Sequence, residues 1–237
     1  MFAGQSYKKM DSDKSLQRLR ELIQLVAEAT TDDFFELAKI AGLDPVEDFS
    51  TANLSGLDLR SAQLVGANLI GTNLRNANLV NANLEDANLI SANLVAANLI
   101  SATLNNANLI GADLSGANLV SAKLLSTNLT GANLEKAILN HADLRRALLT
   151  GVRLDGASLR ATVLSHSDLR RASLTNVDLS GASLYGVNLS YSDLRWANLS
   201  DTNLAGATLE KTRFGGNEGL KREAIYDLRR RGALFDR

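Results

Sequence analysis

The sequence predicts an all-β solenoid with α caps. The solenoid is a quadrilateral parallel β-helix of about eight coils, with 20 residues per coil. Three observations carry this. Leu occupies every fifth position from Leu54 to Leu209 and Phe214 continues the frame, giving 33 units without insertion or slip. A small residue stands two positions before every centre but one, where Leu57 takes the slot, and it is Ala in 22 of the 33. The position just before the centre is mostly polar, and it is Asn in 15 of them.

A period of five suits neither an α-helix nor a flat strand. The helix would smear the Leu set around all its sides, and the strand would turn every second Leu to water. A five-residue unit that turns a corner each time keeps every Leu inside. Four corners close a coil, so each Leu stacks on the Leu 20 positions on, and backbone amides pair between coils about 4.8 Å apart. The rod is then roughly 40 Å long. Burying each Leu contributes roughly 1.5–3 kcal/mol, against about 1–2 kcal/mol per residue for ordering the backbone. Ala and Thr suit the second inward slot, where little room remains beside the Leu column. Asn before the centre is expected to bond locally at the corners and to tolerate special dihedrals there. Gly66, Gly71, Gly111, Gly116 and Gly131 meet the same need.

Runs such as Ala67-Asn68-Leu69, Ala77-Asn78-Leu79 and Ala112-Asp113-Leu114 resemble the pentapeptide-repeat proteins. The resemblance covers about residues 50–215. It implies a right-handed coil with the Ala and Leu slots inside, and says little about function.

The flanks read as helices over an open coil stack, whose unpaired ends invite edge-to-edge pairing. Ser15 to Ala29 places Leu16, Leu19, Leu22, Ile23 and Val26 on one face. Thr31 to Ala41 has Asp32 and Asp33 near its start and Gly42 just after it. Leu220 to Arg231 reads as a third helix, with Leu220, Ala224, Ile225 and Leu228 apolar and Gly232 as its stop. The expected domains are an N-terminal helical cap over 1–48, the β-helix over 49–215 and a C-terminal cap over 216–237. The segments from Phe35 to Pro45 and from Arg230 to Phe235 resemble flanks of pentapeptide modules in photosynthetic bacteria.

Sorting the outward slots by 20 gives two β-branched ladders, Ile70–Ile90–Ile110 and Val80–Ile100–Val120. They read either as an interaction surface or as side chains that steady a parallel sheet. The second half is more charged. His141-Ala142-Asp143-Leu144-Arg145-Arg146 recurs as His166-Ser167-Asp168-Leu169-Arg170-Arg171, with a weaker copy from Tyr191 to Trp196. Arg145, Arg146, His166, Arg170, Arg171 and Tyr191 form a candidate anion corner, unless Asp143 and Asp168 neutralise the arginines.

Composition narrows the function. The chain holds 25 Lys+Arg against 26 Asp+Glu, for a formal net charge of −1. That disfavours a nucleic-acid binder, and also a DNA mimic of the kind some family members use against DNA gyrase. With no Cys and two His, the expectation is no metal and no cofactor. The unbroken frame leaves no inserted loop to form a catalytic cleft, so no enzyme is expected. No apolar run spans a membrane and the polar stretch Met1 to Lys14 is no secretory signal, so a cytoplasmic location is expected. The favoured reading is a protein–protein interaction scaffold with an unknown partner. The rod is expected to be monomeric, although the ladders allow a side-by-side dimer. The alternative is anion or nucleic-acid binding at the Arg/His/Tyr corner.

Overall fold

A computed structural model describes Ala38, Lys39, Gly42, Asp44, Glu47 and residues 49–235. The chain divides into two compact units, Met1–Pro45 and Val46–Arg237. In the first unit, Ala38 and Lys39 are helical. The N–H of Gly42 donates to the Lys39 carbonyl at 2.9 Å, and Gly42 stands at φ 74°. Left-handed glycine there is a common helix stop. The rest of the two expected N-terminal helices lies outside the described residues.

The second unit is a coil that repeats every 20 residues. Parallel bridges join each slot to its counterpart one coil on, from Asn53 with Asn73 through Asn198 with Glu218. One unit shows the backbone pattern. The N–H of Leu89 donates forward to Asn108 O at 2.7 Å, and Asn108 N–H donates back to Ala87 O at 2.9 Å. At the corner, Ser91 N–H donates to Ile110 O and Ala92 N–H closes the turn on Leu89 O, both at 3.0 Å. Buried backbone groups must all be paired, and this scheme leaves one amide per unit unaccounted for, the N–H just after each centre.

The polar residue before the centre supplies that acceptor. Every Asn or Asp in the slot, from Asn53 to Asn203, accepts the N–H two residues on, as Asp113 Oδ1 does from Ser115 at 2.9 Å and Asn93 from Val95 at 3.1 Å. Where the slot lacks Asn or Asp, the coil below sometimes stands in. Asn105 reaches Leu125 N–H, Asn140 reaches Arg160 N–H and Asp155 reaches Thr175 N–H, across the positions of Lys123, Ser158 and Ser173.

The special dihedrals fall at the corner slot, as expected for its glycines, and not at the Asn before the centre. The residue two past each centre, at all 34 positions from Thr51 to Gly216, has φ between 53° and 70°, and none of the Asn before a centre does. The turn needs a left-handed residue in its third place, and that place is the corner slot. Glycine fills 12 of the 34, so the tertiary ladder holds 22 non-glycine residues in a conformation that costs each about 1–2 kcal/mol.

The Leu centres from Leu59 to Leu199 are buried, as are nearly all residues in the small slot. Thr fits that slot because its hydroxyl finds an acceptor inside. Thr72, Thr127, Thr162 and Thr212 each donate to the carbonyl of a centre 23 residues earlier, at 2.6–2.8 Å.

The pairing continues past Gly215 and Gly216. Strand β1 (Arg213–Phe214) is followed by helix α1 (Arg222–Arg230) and strand β2 (Leu234–Phe235), which pairs parallel with β1. The return segment takes the place of the next coil. Lys211 N–H donates to Gly232 O at 2.9 Å, and Phe235 stacks on Phe214 with centroids 5.2 Å apart. Arg231 donates Nη2 to the Leu204 carbonyl at 2.8 Å and also to that of Ala207, supplying donors where the next coil is missing. Helix α1 buries Leu228.

Two substitutions test this arrangement. Ala96→Gly relieves a left-handed alanine and should stabilise by about 0.5–1 kcal/mol, after the entropy gained by the unfolded chain is subtracted. Leu109→Ala opens a cavity in the column and should cost about 2–5 kcal/mol. Denaturant melts read both, and a neutral or destabilising Ala96→Gly would contradict the corner assignment.

Candidate functional site

The 20-residue register places Ile70, Ile90 and Ile110 in one column, and Val80, Ile100 and Val120 in another. Five of the six are half-buried, and Ile110 is 38% exposed. At a spacing of about 4.8 Å each branched side chain shades its neighbours above and below. Their amides are held by Asn68, Asn88 and Asn108, and by Asn78, Asn98 and Asn118.

The register splits the six-residue anion corner in two. Arg145 and Arg146 lie below Ser165 and His166, with Arg146 N–H donating to Ser165 O at 3.1 Å. Arg170 and Arg171 lie one corner further on, below Ser190 and Tyr191, with Arg171 N–H on Ser190 O at 3.0 Å. The first group, with Leu125, lines a pocket of about 350 Å³. The His166 ring packs edge-on against Tyr185, 5.4 Å between centroids.

Two of the four arginines are engaged within their own repeats. Asp143 binds Arg145 through Nε and Nη2, and Asp168 binds Arg170 in the same way, with Nη2 to Oδ2 at 2.6 Å in each. The Asp58–Arg60 and Asp193–Arg195 pairs repeat this geometry. One Asp oxygen thus accepts the amide after the centre while the carboxylate forks onto the guanidinium. The hydrogen bond from arginine holds the carboxyls of Asp143 and Asp168 below the ordinary range, against the opposing effect of burial. No carboxylate partner engages Arg146 or Arg171 among the described residues.

At the second corner the Tyr191 hydroxyl donates to Glu210 Oε1 at 2.7 Å, and the Lys211 ammonium lies 5.4 Å from the ring centroid. The hydrogen bond to Glu210 and its charge raise the pKa of the phenol, and Arg171 counters this in part. Among the described residues, no group of His, Asp and Glu could hold a metal ion. No helix of the described residues is long and apolar enough to cross a membrane.

Matches to the family described as pentapeptide repeats (8 copies) run over residues 52–90, 67–106, 92–131, 127–165, 153–190 and 178–216. The chain belongs to the pentapeptide-repeat family. Membership implies a right-handed β-helical solenoid. Among solved structures, the chain is similar to HetL, a pentapeptide repeat protein involved in heterocyst differentiation regulation from the cyanobacterium Nostoc sp. strain PCC 7120. The identity is 34%, with 72% of this chain and 84% of that one covered and a TM-score of 0.42. A pentapeptide repeat protein of the Arabidopsis thaliana thylakoid lumen matches at 27% identity, over 45% of this chain and 74% of that one, with a TM-score of 0.42. QnrB1, a plasmid-mediated fluoroquinolone resistance protein, matches at 18%, over 79% and 91%, with a TM-score of 0.44. No curated protein matches the chain.

One surface of this pentapeptide-repeat chain escaped the sequence reading. Tyr191 is 49% exposed, Trp196 63% and Leu234 50%. Sorting by 20 puts Tyr191 between Arg171 and Lys211, and that much was legible. The nearness of Leu234 was not, because it depends on β2 returning beside β1.

The Asp–Arg pairs yield a pH test. A depressed carboxyl stabilises the fold above its unfolded pKa, and this contribution is lost as pH falls through the folded value. Asp143→Asn with Asp168→Asn keeps the amide-accepting oxygen and removes the charge together with the second oxygen that arginine grips. The double variant should melt below wild type at neutral pH, and the gap should narrow as pH falls below the ordinary carboxyl range and through the depressed folded values. A gap independent of pH would mean that the pairs contribute nothing electrostatic.

Proposed function

We propose that the chain is a non-enzymatic interaction scaffold, a rigid rod that displays side chains to a protein partner. The observation that carries this is the uninterrupted ladder: from Asn53 to Glu218 every repeat bridges the next coil. No inserted loop breaks the frame to build a cleft. Such a rod offers flat faces with side chains at fixed intervals, which suits recognition better than chemistry. The partner-facing surface in this reading includes the Ile70–Ile90–Ile110 and Val80–Ile100–Val120 ladders. A cytoplasmic, monomeric rod with helical caps belongs to the same proposal. HetL, a relative at 34% identity, is described as involved in regulation, and a regulatory role fits a binding rod.

A second reading rests on the pocket lined by Leu125, Arg145, Arg146, Ser165 and His166. Its Arg146 lacks a carboxylate partner among the described residues, so a small anion is a fitting occupant. Phosphate binding that weakens with salt and disappears in Arg146→Ala would favour it.

The scaffold reading has a direct test. Ile70→Thr, Ile90→Thr and Ile110→Thr together keep the β-branched shape at half-buried positions, so the triple variant should fold with the wild-type circular dichroism spectrum. It should lose most of any partner captured by the wild-type chain from its native lysate. An identical captured set from the folded variant would remove the ladders from the interface.

A further inference from the structure

We propose that the face between Tyr191 and Trp196 docks an acidic segment of a partner protein that also carries an apolar side chain. The proposal rests on the scaffold reading and names the kind of partner. Three columns build the face. Arg171, Tyr191 and Lys211 form one edge, each one coil above the last. Asp193, Arg213 and Leu234 form the middle, joined by the Asp193–Arg213 bridge and the pairing of β1 with β2. Trp196 forms the other edge, on the corner five residues past Tyr191.

Trp196 is exposed, and part of its ring is covered from one side. A Cβ on Gly216, one coil up, would overlap its ring carbon Cε3. The indole therefore lies against bare glycine backbone, at a corner whose own φ is 64°. An exposed indole leaves a large apolar area in water that a partner can cover, and aromatic side chains beside arginines are the composition of interface hot spots. Trp196, Tyr191 and Leu234 are three of the exposed large apolar residues, and all lie on this one face.

The charge on the face specifies the partner. Four cations, Arg171, Arg195, Lys211 and Arg213, stand against two carboxylates, Asp193 and Glu210. Asp193 already holds Arg195 at 2.6 Å and Arg213 at 3.6 Å. Glu210 accepts the Tyr191 hydroxyl. Arg171 and Lys211 have no carboxylate partner among the described residues, so the face is left with positive charge around an aromatic centre. An acidic peptide segment complements that. Nucleic acid fits less well, because its affinity grows with the number of phosphates neutralised and two open cations neutralise few.

Trp196 is the only tryptophan of the chain, so its emission reports on this face alone. The full chain is titrated with a peptide of alternating glutamate and leucine, with the same peptide carrying lysine for glutamate, and with oligothymidylate. We expect the acidic peptide to shift Trp196 emission saturably, and raising salt from about 50 to about 300 mM to weaken it. Arg171→Ala with Lys211→Ala should weaken it about tenfold while the melting temperature holds. Both side chains are exposed. A labelled acidic peptide followed by anisotropy should also lose affinity for Trp196→Ala. No emission change with the acidic peptide, equal binding of the lysine peptide, stronger binding of oligothymidylate, or full affinity in the double variant would each overturn the proposal. Such a failure leaves the Ile ladders untouched, since their variant tests the scaffold reading separately.

Discussion

Everything in this rod depends on one backbone requirement, a left-handed residue at every fifth position. Each such corner turns the chain so that the next Leu points inward again. The requirement is imposed on Tyr191, Trp196, His166 and Arg171 as firmly as on Gly181. Their unfavourable φ is offset by what the corner makes possible: amides that pair to the coils on both sides, and a Leu column closed to water. The same constraint sets the display, because corner side chains leave the rod at its four edges, the most accessible places on it.

The polar residues next to the Leu centres follow from the same geometry. Turning a corner leaves one amide per repeat without a backbone acceptor, and a short side chain ending in oxygen reaches it two residues away. Asn does this as a neutral group. Asp does it and keeps a second oxygen for arginine, so Asp143-Leu144-Arg145, Asp168-Leu169-Arg170 and Asp193-Leu194-Arg195 become closed units. The arginine two past the Asp is thereby spent within its own repeat. The next one along, Arg146 or Arg171, sits on the corner with no carboxylate partner among the described residues. A sequence rich in paired charge thus leaves a small number of open cations in fixed places.

Much of the fold was legible because its period is short and unbroken. Leu at every fifth position has one solution once helix and strand are excluded, and the stacking of Ile90 on Ile70 followed by arithmetic. The left-handed conformation was expected at the corner glycines, where it occurs, and also at the Asn before the centre, where it does not. Asn is frequent before the centre for its acceptor oxygen, and composition alone does not separate that reason from tolerance of positive φ. The candidate site was less legible. The step of 25 residues, one coil plus one face, is legible in the sequence and winds the motif around the rod, so grouping Arg145 to Tyr191 in one corner joined residues that the register separates. The face at Trp196 also needs Leu234, and only the pairing of Phe214 with Phe235 brings that residue near.

If the coils form one cooperative, rigid platform, native-state hydrogen exchange will show it. The amides of the Leu centres from Leu69 to Leu199 donate to the next coil throughout. They should exchange only through global unfolding, with one common free energy and one common denaturant dependence. Exchange in separate blocks, each opening at its own lower free energy, would contradict it. The faces would then be a series of loosely joined coils, and fixed side-chain spacing could not be the basis of recognition.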